Sequence, residues 1–418
     1  MCTAERAPAA TPSPQESRPP LEVADVFRAH GETYRQRHAL TLDQLRVMRD
    51  IETCRTAVLG GHAEVCPECG FARLAYNSCR NRHCPKCQAL AQARWIEQRM
   101  ARVLPTHHFH VVFTLPSDLR PLCMRNPRRI FDLLFASASR TLLKLGEDDK
   151  RLGAQLGFTA VLHTWTRSLE YHPHLHCIVT AGGLSADGQR WIPTSGADGR
   201  YLFPARVLGD LFRGIFLDGL RTLYDRNELS LGDDDGLASP SGFARFIDGL
   251  YRKKWLVYAK RPFSGPKQVY RYLGRYTHRV GISNHRLRSF DERGVCFATK
   301  NGKTVTLAPE EFIRRFLMHV LPRGFVKIRH YGLLAPCHVD GRLELARLLL
   351  DPTAAESAPP SDESPAKPTW TERLFGLTGV DPLLCPHCGK ARLVAYPLHL
   401  WAALDDRGAQ QPPHIDTS

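Results

Sequence analysis

The feature that most restricts this chain is the fall of its cysteines in C-P-x-C pairs, CPEC at 66–69, CPKC at 84–87 and CPHC at 385–388. Each pair can bring two thiolates to one ion across a tight turn, and two such pairs roughly 12–20 residues apart suit a tetrahedral structural zinc. Cys66, Cys69, Cys84 and Cys87 are therefore expected to share one zinc site. Cys54, His62, Cys79 and His83 interleave with them and are the candidate for a second site; the alternative leaves both histidines at the surface, with His83 beside the basic Arg80 and Arg82. The tail pair Cys385 and Cys388 reads as half of a further knuckle, completed by Cys337 with His338 or by His387 and His399, or else as a metal-free turn. The cysteines number 13. An odd set with paired spacing fits metal ligation in a reducing cytosol better than disulfides, and the isolated Cys123, Cys177 and Cys296 read as small core residues.

Lys and Arg number 57 against 42 Asp and Glu, a net charge of +15 that favours a polyanionic partner. A membrane surface is the weaker choice. No stretch approaches the ~20 apolar residues of a spanning helix, and the opening MCTAERAPAATPSPQESRPP lacks the apolar centre of a signal peptide. A cytoplasmic protein is expected.

Along the chain, residues 1–20 are too poor in apolar side chains to order themselves. Helical periodicity runs from about Val26 to Thr53 and again from Leu90 to Leu104, flanking the cysteine segment. A zinc-binding, DNA-docking domain is placed at 21–104. HFHVVFTLP at 108–116 and HPHLHCIVTAGG at 172–183 read as strands, within a domain spanning 105–350. A Pro, Ser and Ala-rich linker covers 351–370, and a small tail occupies 371–418. No internal repeat is visible.

On a strand, side chains alternate, so His172, His174 and His176 share one face. Three imidazoles on an otherwise apolar strand are costly to bury without partners, which points to a metal. About a hundred residues later, QVYRYLGRYTHRV places Tyr272 and Tyr276 at i and i+4, neighbours on one helix face. Alone, such a pair is more often packing. Its setting is strongly basic, with Arg271, Arg275 and Arg279 as candidate phosphate contacts, and Arg80 and Arg82 in SCRNRHCPKCQ offer a second set on a metal-stiffened loop.

Together, HLH at 174–176 and YLGRY at 272–276 resemble the signature of two-tyrosine HUH endonucleases. SCRNRHCPKCQ, LHTW at 162–165, HPHLHCIV, YLGRYTHRV and EEFIRRFLMHVLPRGFVKIRHYGLL at 310–334, in this order, are similar to bacterial IS91-like transposases. The strand VVFTLP at 111–116 resembles the neighbouring strand motif of that class. The resemblance covers roughly residues 25 to 350.

It implies an α+β fold, an antiparallel sheet carrying the histidine pair with flanking helices, preceded by a small zinc-binding helical domain. It also implies a nucleoid-associated transposase of rolling-circle insertion sequences, acting chiefly on single-stranded element ends. Its chemistry is transesterification: Tyr272 or Tyr276 attacks a phosphate held at a Mg²⁺ or Mn²⁺ site of His174 and His176, giving a 5′-phosphotyrosine and a free 3′-OH. The third ligand stays open among His172, His163 and Glu170. No ATP is needed, in keeping with the lack of a G-x-x-x-x-G-K-[ST] loop. The rival reading is a non-catalytic zinc-containing DNA-binding protein whose tyrosines stack on bases. A carboxylate-cluster transposase is a weaker rival, since LGDDDG at 231–236 reads as a solvated loop.

Overall fold

A computed structural model describes residues 19–100, 102–195, 201–232, 236–263, 281–352 and 368–398. In chain order the elements are α1 (Val23–Arg37), α2 (Leu42–Thr53), β1 (Gly61–Val65), β2 (Ala72–Tyr76), α3 (Gln88–Met100), β3 (His108–Thr114), α4 (Arg120–Arg125), α5 (Pro127–Glu147), β4 (Gln155–Trp165), β5 (Tyr171–Leu184) and β6 (Trp191–Pro193). There follow α6 (Ala205–Asp225), α7 (Pro240–Arg252), β7 (Val257–Phe263), β8 (Leu287–Asp291), β9 (Gly294–Ala298), β10 (Thr304–Leu307), α8 (Pro309–Leu317), β11 (Ile328–Gly332), α9 (Glu344–Leu350), α10 (Trp370–Thr378) and β12 (Val394–Pro397). The class is α+β with antiparallel sheets, as the sequence predicts. Contacts divide the described residues into two compact units, one drawn from 1–87, 282–313 and 368–418, the other from 88–281 and 314–367.

In the first unit, the apolar periodicity from Val26 to Thr53 resolves into two helices rather than one. The chain leaves helical geometry at His38 and restarts at Thr41, which forms a capping box with Gln44. Val26, Phe27 and Tyr34 of α1 are buried with Val47, Met48 and Ile51 of α2. The helices approach closely at Gly31, where a Cβ would run into the Glu52 carboxylate. A hairpin follows, β1 antiparallel to β2, with residues 66–70 at its tip. The tail strand β12 pairs antiparallel with the other edge of β1, so that His62 faces Pro397 and Val65 faces Val394. A second sheet has the order β10-β9-β8.

The second unit is built on an antiparallel sheet ordered β11-β4-β5-β3-β7, with β6 paired to the end of β5. Period-two alternation gives the sheet two different faces. Phe109, Val111 and Phe113 of β3, Leu156, Phe158, Ala160 and Leu162 of β4, and Leu175, Cys177 and Val179 of β5 enter the main core. That core is closed by α5, whose Ile130, Phe131, Leu134, Phe135, Ala138 and Leu142 recur at helical spacing, and by Leu208, Phe212 and Phe216 of α6. The opposite face carries Val161 and Ile178, which pack with Trp95 and Met100 of α3. The histidines of β3, β4 and β5 lie on this second face by the same alternation. Among the described residues no helix is long and apolar enough to cross a membrane.

Candidate metal centres

The hairpin separates the cysteines into two groups. At its open end, Cys54 closes α2 and Cys79 follows β2; these two meet Cys84 and Cys87, with Cys54 Sγ 3.4 Å and Cys79 Sγ 3.6 Å from Cys87 Sγ. The edge of a zinc–sulfur tetrahedron is about 3.8 Å for a bond of about 2.3 Å, so the four sulfurs fit one ion. Their mutual contacts draw the Cys54 thiol down to about 7, chiefly through Cys79, and hold Cys87 well below the ordinary thiol range, chiefly through Cys54. The same crowding, led by Cys54, pushes Cys79 and Cys84 up. A dication at the centre allows all four to ionise. At the hairpin tip, Cys66 and Cys69 meet the tail residues Cys385 and Cys388 instead.

This corrects the expected pairing. Cys66 and Cys69 do not join Cys84 and Cys87, because a five-residue strand is about 16 Å long and no single ion bridges both ends of the hairpin. Cys54 and Cys79 are ligand candidates, but not with His62 and His83. His62 sits on β1 with Nε2 3.3 Å from the Glu64 carboxylate, and the buried His83 lies outside the cluster. For Cys385 and Cys388, the partners are neither Cys337 with His338 nor His387; His399 is outside the described residues. Cys123 and Cys177 are buried core residues, while Cys296 is half-buried.

On the second face of the large sheet, His163, His174 and His176 converge, with one nitrogen of each within 4.8 Å of the others. His172, although on the same face, stands outside this group, as does the exposed Glu170. Same-face positions repeat every ~6.6 Å along a strand, so three in a row cannot all reach one ion. A residue directly opposite on the next strand has its Cβ only about 5 Å away. His163 on β4 is that residue, paired across from His174. It is 3% exposed and its ring stacks at 4.6 Å on Trp165.

Two contacts aim the rings. His174 Nδ1 lies 2.6 Å from the His172 carbonyl and donates to it, leaving the Nε2 lone pair directed toward His176 Nε2 at 3.1 Å. His176 Nδ1 is 2.7 Å from Nε2 of His110 on β3. Burial pushes His174 down to about 4, so its lone pair is available at neutral pH. A separation of 3.1 Å between two imidazole nitrogens matches adjacent ligands at about 2.1 Å from one ion. Sequence reasoning missed His110, although the alternation of His108 and His110 in HFHVV was a visible signal. His108 takes another role, its Nδ1 donating to the Thr106 carbonyl.

The turn between β4 and β5 is braced by His319. Its Nε2 donates to the Leu169 carbonyl at 3.2 Å, which leaves Nδ1 to accept from the Thr164 hydroxyl at 3.2 Å. Leu169 needs this support because it is buried with φ at 61°, a left-handed conformation costing roughly 1 kcal/mol. Gly281 lies against the same turn, where a Cβ would meet Leu169 at 2.8 Å, His319 at 3.2 Å and Trp165 at 3.7 Å. Tyr272, Tyr276, Arg271, Arg275 and Arg279 fall outside the described residues. Arg80 is exposed on the Cys79–Cys84 loop, whereas Arg82 is half-buried and its guanidinium is pushed down by that burial.

Residues 26–115 match the family described as "Transposase zinc-binding domain" of IS91 type, and residues 157–341 match that described as "Putative transposase". The chain is 45% identical over 381 residues to the "Putative transposase y4qJ" of Sinorhizobium fredii (strain NBRC 101917 / NGR234), covering 89% of this chain and 94% of that protein. It is 28% identical over 365 residues to the "Transposase for insertion sequence element IS801" of Pseudomonas savastanoi pv. phaseolicola, covering 83% and 84%. No solved structure matches the chain. With its zinc-binding segment, its histidine-bearing sheet and nearly its whole length accounted for by such relatives, the chain belongs to the IS91 family of transposases.

Proposed function

We propose that this transposase cuts and rejoins single-stranded DNA by tyrosine transesterification at the His163, His174 and His176 centre, moving its element by a rolling-circle route. The observation that carries this reading is the convergence of three imidazoles from two adjacent strands, with the outer nitrogens of His174 and His176 already engaged. Three protein ligands leave further coordination positions for a substrate atom, as reactive metal sites require and structural ones do not. A divalent cation held there would polarise a non-bridging oxygen of the scissile phosphate and offset the charge that develops on it. The family resemblance implies Mg²⁺ or Mn²⁺, and imidazole donors suit Mn²⁺ better than the hard Mg²⁺.

The remaining work belongs to the chain's own residues. Tyr272 or Tyr276 forms the new O–P bond as the bond to the 3′ oxygen breaks; the tyrosine proton is lost, and the departing strand leaves as a free 3′-OH. Phosphodiester replaces phosphodiester, so no nucleotide is consumed. Tyr276 precedes Gly281 by five positions in the sequence, and Gly281 lies against Trp165, which stacks on His163. The +15 charge and the exposed Arg80 supply sequence-independent attraction to phosphates.

The test is incubation of the full-length protein with oligonucleotides from the element ends, single-stranded and duplex, with and without Mn²⁺. A covalent protein–DNA adduct on single strands, dependent on the ion, is expected. Tight binding with neither adduct nor cleavage identifies a DNA-binding protein without this chemistry.

A further inference from the structure

We propose that Cys66, Cys69, Cys385 and Cys388 bind a zinc ion of their own, a second structural site that fastens the C-terminal knuckle to the N-terminal hairpin. The site is independent of the tyrosine chemistry, and its tail half lies beyond both matched segments, 26–115 and 157–341. The four sulfurs lie within 4.8 Å of one another, and the cross-knuckle separations, Cys66 to Cys388 and Cys69 to Cys385, are both 3.7 Å. That is the ~3.8 Å edge of a zinc–thiolate tetrahedron and far longer than the ~2.05 Å of a disulfide.

The two halves are built alike. In each, a C-P-x-C-G run closes with the glycine in left-handed conformation, Gly70 at φ 72° and Gly389 at φ 65°. Each glycine N–H returns to the first cysteine's carbonyl, Gly70 to Cys66 at 3.1 Å and Gly389 to Cys385 at 2.9 Å. Each first cysteine donates its own N–H onward, Cys66 to Phe71 at 2.8 Å and Cys385 to Ala391 at 2.9 Å. Two copies of one ligand-bearing turn thus face each other, a closed four-thiolate arrangement.

The apolar contribution around them is small. Among the described residues, Leu393 is the buried member of this cluster besides Cys66 and Cys385, with Phe71, Cys388 and Ala391 at its edge. The β1–β12 pairing and the hydrogen bond from Arg73 to the Pro382 carbonyl add a few backbone contacts. A core of that size does not hold a segment without a metal or covalent tie. Zinc at this site would fasten β12 in its place beside β1.

Two readouts on the full chain test it. Reconstituted with ¹¹³Cd²⁺, the protein should give two cadmium NMR resonances in the all-thiolate region, and Cys385→Ser with Cys388→Ser should remove one. A single such resonance in the wild type, or two persisting in the double variant, overturns the assignment. Differential alkylation needs no variant. In the zinc-loaded wild type, Cys69 should resist alkylation despite its exposure, together with Cys66, Cys385 and Cys388, and all four should become reactive together when a chelator strips the metal. Rapid labelling of Cys69 or Cys388 with zinc present overturns the proposal.

Discussion

Four thiols and three imidazoles are gathered in different ways in the two units, and the difference fits the proposed division between holding a fold and performing a reaction. Cys54, Cys79, Cys84 and Cys87 offer four soft donors from a helix end and the one loop between β2 and α3, enough to close a tetrahedron with no position left for a substrate. His163, His174 and His176 supply three donors from the middle of a hydrogen-bonded sheet, whose other face is the main core of the unit. The cysteine loop has ties of its own, Asn81 to Asp50 and Lys86 to Glu22, but its four thiols crowd one point, where a dication would let them ionise together. The histidine site is rigid beforehand: β4, β5 and β3 hold the rings, and His110 and the His172 carbonyl orient them.

The largest expected effect tests that division directly. His174→Ala or His176→Ala should lower single-strand cleavage by roughly 10²–10³-fold, the loss typical of removing electrostatic stabilisation from a reacting oxyanion. Zinc content and thermal stability should stay near wild type. If these variants unfold while keeping cleavage per folded molecule, the histidines are packing groups and the contrast fails. His110→Ala comes next. As a positioning residue, it should weaken divalent-ion affinity about 10–100-fold, read as the Mn²⁺ concentration for half-maximal cleavage, with activity recovered at high Mn²⁺. A loss that excess ion does not restore would assign His110 another role.

A smaller effect concerns the brace behind the site. Burial holds His319 at about 4, below the ordinary histidine value of 6.5, so the folded state resists the proton that the unfolded chain accepts. Its contribution is complete above about pH 6.5 and declines by up to about 1.4 kcal/mol per unit as pH falls toward 4. His319→Gln should cost 1–3 kcal/mol at pH 7.5 through two poorly replaced hydrogen bonds and flatten the acid limb of a stability–pH curve. An unchanged limb would show that the His319 proton is not linked to folding. The smallest effect belongs to Arg80→Ala, which should reduce the salt slope of DNA binding by about one unit without altering which strand is cut; an unchanged slope removes it from the interface.

How far the sequence could anticipate all this depends on the distance over which each residue finds its partners. The alternation of His174 and His176 was legible because the period of a strand is a local property. The choice of His163 over His172 was not, since it depends on the register of β4 against β5, which shifts at the bulge between His163 and Trp165. The C-P-x-C knuckles were legible as turns, but their grouping required knowing that β1 and β2 hold Cys66 and Cys79 at opposite ends of a hairpin. Nothing local in CPHC at 385–388 could reveal that β12 returns to β1, more than three hundred residues earlier in the chain. The single apolar period from Val26 to Thr53 concealed a break that Thr41 and Gln44 announce as a capping box.

The central claim is that the histidine centre serves a tyrosine nucleophile. The most direct measurement is peptide mapping of the covalent adduct formed on single-stranded element ends with Mn²⁺, comparing wild type with Tyr272→Phe, Tyr276→Phe and the double variant. The account predicts DNA attached to Tyr272 or Tyr276, some cleavage but no complete transposition in each single variant, and no adduct in the double. An adduct that persists in the double variant, or one that maps to Tyr258 or Tyr270, contradicts it.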